Sequence, residues 1–162
     1  MRSSRLLWAL AVVGMVCAAG GVAWGRPGRV PAFDAEDVAQ RCIAQVYDAA
    51  DRTCRQIDRA TSRVVQEMTA LLEAGEVEEV RTWAAIGQRR INVASRVSVR
   101  AIEMSCQWCE GMLSRVGRAD LAEQVEQAGE DAIAQITAAA GAAVAEIQAA
   151  AEGDGGGDYP PE

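Results

Sequence analysis

Gly75 interrupts an otherwise continuous helical pattern of apolar residues, and this interruption constrains the fold more than any other feature. Apolar residues recur at helical spacing over residues 34–74 and resume a few residues after Gly75. Glycine at the end of such a pattern is typical of a helix C-cap. The chain is therefore predicted to fold back here as a hairpin of two long helices. Cys42 lies 33 residues before Gly75 and Cys109 lies 34 residues after it, so the hairpin would bring their sulfurs level.

The first helix is predicted over residues 34–74, with Asp34 as its N-cap. Its apolar residues alternate at spacings of three and four, which is typical of a coiled-coil seam. One seam position holds Ile43, Ala50, Ile57, Val64 and Leu71, and the other holds Tyr47, Cys54, Thr61 and Met68.

The second helix is predicted over residues 77–116 and the third over residues 120–151, with Gly117 between them. Two apolar stripes on the second helix indicate two neighbours: Val80, Ala84, Gly87, Ile91, Ala94, Ala101 and Trp108 form one, and Ile102, Cys106, Cys109, Leu113 and Val116 form the other. The third helix is rich in alanine and acidic residues, so its charge would favour docking against the arginines of the second. We therefore expect an all-α fold, an elongated antiparallel three-helix bundle with a coiled-coil-like hairpin, preceded by an N-terminal apolar leader helix.

Residues 1–25 have the features of an export signal. Arg2 and Arg5 precede an uncharged apolar run over residues 6–25. The run could be a cleaved signal peptide, or an uncleaved anchor, because 20 apolar residues suffice to span a bilayer. Cys17 also suggests a lipoprotein, although Val16 before it is too large for the usual cleavage motif. Each alternative exports the chain, so we expect a periplasmic or other extracytoplasmic location, soluble or anchored. A Pro/Gly linker over residues 26–33 and a disordered acidic tail over residues 153–162 would flank the bundle at 34–152.

The four cysteines beyond the leader predict a disulfide, because an exported chain meets an oxidising environment. Cys42 and Cys54 would be about 18 Å apart along one helix, too far for a bond. The hairpin favours Cys42–Cys109, with Cys42–Cys106 as the runner-up. Cys54 and Cys106 would then be free or form intermolecular bonds. The alternative is that all four are small core residues.

The second helix also carries a basic patch of Arg81, Arg89, Arg90, Arg96 and Arg100, with no acid between Glu79 and Glu103. The patch could bind an anionic partner, or it could be a solvated face that neutralises the third helix. Trp83 and Trp108 could anchor a partner. Trp108, however, lies on a predicted core stripe, which favours packing inside the bundle.

The chain contains no histidine, which removes Ser-His and Cys-His nucleophile pairs and most zinc and haem sites. Its formal net charge of -7 opposes binding to nucleic acids or anionic membranes. We therefore expect no enzymatic activity, no cofactor and no metal, and membrane contact only through an uncleaved N-terminal segment.

The leading functional hypothesis is an exported structural or protein-interaction element of the cell envelope, whose partner is another protein or a second copy. The alternative is a thiol-based redox or soft-metal protein that uses the Cys106-x-x-Cys109 pair, since such pairs supply activated thiols and ligands for Cu(I).

Overall fold

A computed structural model describes residues 34–152, and this part of the chain is all-helical, as predicted. Its three helices are α1 (Ala35–Glu73), α2 (Val77–Arg115) and α3 (Ala119–Glu152). Each observed end lies within one residue of the end expected from caps and glycines. Every helix packs against the other two. The predicted leader (1–25), linker (26–33) and tail (153–162) lie outside the described residues.

Local backbone chemistry places the helix boundaries. The Asp34 carboxylate caps α1 by accepting hydrogen bonds from the backbone N–H groups of Glu36 at 3.0 Å and Asp37 at 3.3 Å. Gly75, with φ of +76°, and Gly117, with φ of +77°, make the two reversals, in a region that disfavours residues with a Cβ. Both turns return backbone bonds to the last helical carbonyls and so satisfy groups that a helix end leaves unpaired.

Side-chain contacts between helices give their directions. Thr53 on α1 donates a hydrogen bond to Ser98 on α2 at 3.1 Å, in the register that also pairs Cys42 with Cys109. This register makes α1 and α2 antiparallel. Tyr47 donates to Asp131 on α3 at 3.3 Å, and Asp51 accepts from Gln135 at 3.1 Å. Both contacts join residues 84 positions apart, so α3 runs parallel to α1. The helices are therefore arranged up-down-up.

The buried positions of α1 repeat every eleven residues, not every seven as predicted. Three series share this spacing: Ala39, Ala50 and Thr61; Cys42, Thr53 and Val64; and Val46, Ile57 and Met68. The predicted heptad seam fits at Ala50 and from Ile57 to Met68, but it fails at the other positions of the first half of α1. There Ile43 and Cys54 are half-buried and Tyr47 is exposed, while Cys42, Val46 and Thr53 take the core positions. At the end of α1, Leu71 is also only half-buried.

The same repeat runs through the other two helices. On α2, Val80, Ile91, Ile102 and Leu113 are buried at intervals of eleven. On α3, Leu121, Ala132 and Ala143 form one such series, and Val125, Ile136 and Ile147 form another. Eleven residues in three turns give 3.67 residues per turn, close to the 3.6 of a straight helix. A heptad repeat drifts by about 20° per repeat on a straight helix, which explains why the predicted seam leaves the core.

Small residues at the centre bring the helix backbones close together. A Cβ on Gly87 of α2 would lie 2.8 Å from Val64 Cγ1 of α1 and 3.2 Å from Ile147 Cδ1 of α3. A Cβ on Gly129 of α3 would lie 2.7 Å from the Cys106 sulfur. At these two levels the neighbouring side chains fill the space that any larger residue would need.

The expected charge pairing between α2 and α3 is not seen among the described residues. Every ion pair there joins residues two to four positions apart, such as Arg81 with Glu78 at 2.7 Å and Arg100 with Glu103 at 3.0 Å. Apolar burial, not charge, therefore holds α3 against α2.

By length and composition α3 could cross a membrane. Helices in the core of a bundle meet the same criteria, and the large apolar side chains of α3 pack against α1 and α2. The length and composition of α3 are therefore only weak evidence for a membrane span.

Candidate functional site

Three of the four cysteines in the described residues meet inside the bundle. Cys42 enters from α1, while Cys106 and Cys109 enter from α2 one helical turn apart and therefore on the same face. All three are buried. The Cys42 thiol is the immediate neighbour of the Cys109 thiol, and it lies near that of Cys106 as well. We call Cys42, Cys106 and Cys109 the cysteine cluster.

The environment of Cys106 and Cys109 keeps these two thiols protonated, because it raises the pKa of each. Burial, followed by the neighbouring Cys42 thiol and the Glu110 carboxylate, raises the pKa of Cys106 to about 11. Burial and the same two neighbours raise the pKa of Cys109 to about 12. The thiolate is the nucleophile and the metal ligand, so these thiols are poorly suited to either role at neutral pH. Nothing in the described residues supplies the positive charge that normally activates a C-x-x-C pair.

Cys54 lies apart from the cysteine cluster, at the contact between α1 and α3. Cys54 is half-buried, and its sulfur lies 4.0 Å from the backbone carbonyl oxygen of Gln135. Burial, followed by the carboxylates of Asp58 and Asp51, raises the pKa of Cys54. Cys54 is therefore the most accessible thiol in this part of the chain, but it is also a weak nucleophile.

All four thiols are unbonded in the structure, and the predicted disulfide stays a prediction. The structure brings together the members of both proposed pairs, Cys42 with Cys109 and Cys42 with Cys106. Within residues 34–152 no group of three or more His, Cys, Asp or Glu side chains is arranged to hold a metal ion.

The second candidate site is a row of exposed apolar side chains on α2. Five of the eight large apolar residues exposed in the described chain belong to it, which we call the outer stripe: Ile86 (40% exposed), Val93 (50%), Val97 (48%), Met104 (59%) and Trp108 (67%). Ile86, Val97 and Trp108 are eleven residues apart, the spacing of the core. The outer stripe therefore runs straight along the helix, on the side facing away from α1 and α3.

The prediction that Trp108 packs in the core is wrong, because Trp108 is the most exposed member of the outer stripe. Ala94 and Val116, also assigned to core stripes, are exposed, and Ala101 is half-buried. Trp83 is half-buried and packs against the core. Neither predicted stripe of α2 included Ile86, Val93, Val97 or Met104, so sequence reasoning missed the outer stripe, although the eleven-residue spacing of its apolar residues is present in the sequence.

Most of the predicted basic patch borders the outer stripe. At about 100° per residue, Arg89, Arg96 and Arg100 lie along one edge of the stripe, and Arg90 lies near the other. Arg89 and Arg90 line a shallow groove with Ile86, Val93 and Ala94. A second groove lies beside Trp108, between Gln107, Gly111, Met112 and Arg115.

Most of the arginines that border the stripe form no ion pair with the described residues. Arg89, Arg90 and Arg96 form no ion pair within residues 34–152, and the pair between Arg100 and Glu103 is exposed. Arg81 lies five residues before Ile86, outside the stripe, and pairs with Glu78. The arrangement is an apolar seam about 33 Å long, at 1.5 Å per residue, with positive charge at its edges.

Comparison with known proteins identifies no relative: no family model matches the chain, and neither a curated protein nor a solved structure is significantly similar to it.

Proposed function

We propose that this protein is an exported, non-enzymatic structural or protein-interaction element of the cell envelope, and that the outer stripe is its docking surface. The observation that carries the proposal is the exposure of Ile86, Val93, Val97, Met104 and Trp108 in one row. A contiguous exposed apolar patch marks an interaction site more often than scattered apolar residues do. Trp, Met and Arg are also the residue types enriched at protein interfaces.

The rest of the bundle acts as the scaffold for this surface. α2 contacts both other helices, so its backbone is supported along its length while its outer side stays uncovered by the described residues. A preformed helix loses little backbone conformational entropy when a partner binds, because its backbone is already ordered. This suits a docking element better than a catalytic one.

Export forms part of the proposal and rests on the sequence of the leader. Arg2 and Arg5 followed by the apolar run at 6–25 support it. Cleavage would release the bundle, and retention would anchor it at the membrane. The intact mass of the mature protein distinguishes the two.

The alternative, a redox or soft-metal role for Cys106 and Cys109, is less well supported. Both thiols are buried, and burial raises the pKa of each. In the reduced native protein we expect alkylation of Cys54 first and of the cysteine cluster only on unfolding. Rapid alkylation of Cys106 and Cys109 in the native state would favour the alternative instead.

Site-specific photo-crosslinking in the producing cell tests the proposed function. A benzoylphenylalanine at position 97 should crosslink to one discrete protein species that mass spectrometry identifies. The matched control carries the same group at position 60, where Ala60 is exposed on α1. The Val93→Glu variant should abolish the crosslink at position 97. Equal crosslinking at positions 60 and 97, or none at 97, would contradict the proposal.

A further inference from the structure

The outer stripe has the geometry and charge to select a particular class of partner. We propose that it binds an acidic amphipathic α-helix, which adds a fourth helix to the bundle along α2. The proposal rests on the proposed function and adds the chemistry of the partner to it.

The shape of the stripe favours a single helix. At about 100° per residue, its five large side chains fall within an arc of about 60°. A seam this narrow is typical of one helix packing against another, whereas a helix that buries a whole side shows an apolar face of about 100° or more. The interval of eleven residues from Ile86 to Val97 and from Val97 to Trp108 equals that of the inner faces. A partner helix can therefore pack on α2 as α1 and α3 do.

The charge at the edges selects an acidic partner. No Asp or Glu lies between Glu79 and Glu103, while Arg89, Arg90, Arg96 and Arg100 all lie in that interval. Three of the four arginines have no ion-pair partner in residues 34–152. Carboxylates on either side of the partner's apolar seam would pair with them, as flanking charges do in coiled coils. Charge of this kind determines partner choice and association rate more than affinity.

A second copy of α2 is a poor occupant for the same reason. Antiparallel pairing centred on Val97 would place Arg96 and Arg100 of one copy beside the same residues of the other. The nearest carboxylate, Glu103, already pairs with Arg100 of its own copy and would lie level with residue 91 of the other copy, which leaves Arg96 without a carboxylate beside it. Like charges that face each other across an interface oppose association.

Titration calorimetry of the full chain with two synthetic helices tests the proposal. Both probes carry three eleven-residue repeats with identical apolar residues. Glutamate flanks the seam in one probe and lysine in the other. The acidic probe should bind at least about tenfold more tightly than the basic probe at low salt, with a difference that shrinks as salt screens the charges.

Three variants assign the binding to the outer stripe. Val97→Glu should weaken binding of the acidic probe at least about tenfold, because it places a buried charge in the seam. The double variant R96E/R100E should reverse the preference towards the basic probe. Ala60→Glu on α1 is the matched control and should bind as the parent does. Positions 60, 96, 97 and 100 are exposed, so circular dichroism should show unchanged helicity for all variants.

Four outcomes would overturn the proposal: equal binding of the two probes, no binding of either, self-association of the chain that Val97→Glu removes, or flotation with anionic vesicles that Val97→Glu removes. Sedimentation and vesicle flotation of the same samples report the last two. A stripe that crosslinks to a protein in the cell and binds neither probe would leave the proposed function standing and remove this inference alone.

Discussion

At the scale of single residues, two glycines allow the helices to approach each other. Gly87 and Gly129 sit where a Cβ would lie within 3 Å of a neighbouring side chain, whereas a Cβ on Gly111 or Gly141 would meet nothing within 4 Å. The same residue type therefore has opposite energetic consequences at different positions on one bundle. Inside a helix, glycine costs about 1 kcal/mol of helix propensity relative to alanine.

Gly87→Ala is expected to destabilise the bundle by about 1 kcal/mol. The added methyl would lie 2.8 Å from Val64 Cγ1, and a β-branched side chain in a helix has little freedom to move. Overpacking of about 1–3 kcal/mol then exceeds the gain in propensity. Gly111→Ala on the same helix is the control and should stabilise by up to about 1 kcal/mol. Chemical denaturation measures both, and a stabilised Gly87→Ala would show that the contact relaxes freely.

Glu110 provides a pH-dependent test at the residue scale. Burial, followed by the Glu126 carboxylate on α3, raises the pKa of Glu110 in the folded state. An acid with a raised folded-state pKa binds protons more tightly when folded, so the fold is favoured below the unfolded pKa and loses this contribution as pH rises through the folded pKa.

Glu110→Gln should therefore stabilise the fold at pH 7 and raise its melting temperature. The gain in free energy of unfolding should be less than about 1 kcal/mol, because the site is partly solvated. The difference from the parent should vanish below about pH 3, where the carboxyl is protonated in both the folded and the unfolded state. Thermal melts across this range measure it. Glu123→Gln, at an exposed site on α3, is the control and should change little.

At the scale of the element, α2 has two apolar faces with different roles. Its inner face carries Ile91, Ile102 and Leu113 in the core, and its outer stripe carries side chains of similar size in contact with solvent. The spacing of apolar residues does not distinguish these faces, because both follow the same interval of eleven residues. The separation appears only when α1 and α3 cover one side.

Ile102 and Met104 are two positions apart and should respond oppositely to truncation. Ile102 is 3% exposed, so Ile102→Ala should cost about 2–5 kcal/mol through lost burial and the cavity left behind. Met104 is 59% exposed, so Met104→Ala should change stability by no more than about 0.5 kcal/mol. Urea denaturation of both variants measures the difference. Similar costs would mean that the outer stripe is covered in the isolated protein.

At the scale of the whole molecule, the hairpin at Gly75 brings Cys42 and Cys109 together, although 67 positions separate them in the sequence. Oxidation would join the two helices covalently near the end of the bundle remote from Gly75. By the chain-entropy model, closing a loop of about 68 residues stabilises the fold by about 4 kcal/mol.

We expect oxidation of the full chain to produce a Cys42–Cys109 bond, seen as the loss of two hydrogens in intact mass and as a linked peptide in a non-reducing digest. Reduction should lower the melting temperature. Cys42→Ser should prevent the bond, and Cys54→Ser should leave it intact because Cys54 lies at the contact with α3. A linked Cys42–Cys106 peptide would assign the bond to the other neighbour in the cysteine cluster.

The sequence by itself determined the helices, their ends and the hairpin register, because caps, turn glycines and apolar periodicity act over short stretches of chain. Only the tertiary structure decided which side of each helix its neighbours cover. On α1, Cys42, Val46 and Thr53 occupy core positions that the heptad pattern assigned to their neighbours. This depends on where α2 and α3 pack against α1. The exposure of Trp108 and its row depends on which side of α2 both neighbours leave open. A helix has one periodicity whatever its surroundings, so its apolar residues indicate which faces could pack, and only the arrangement of the neighbouring helices shows which of them is covered.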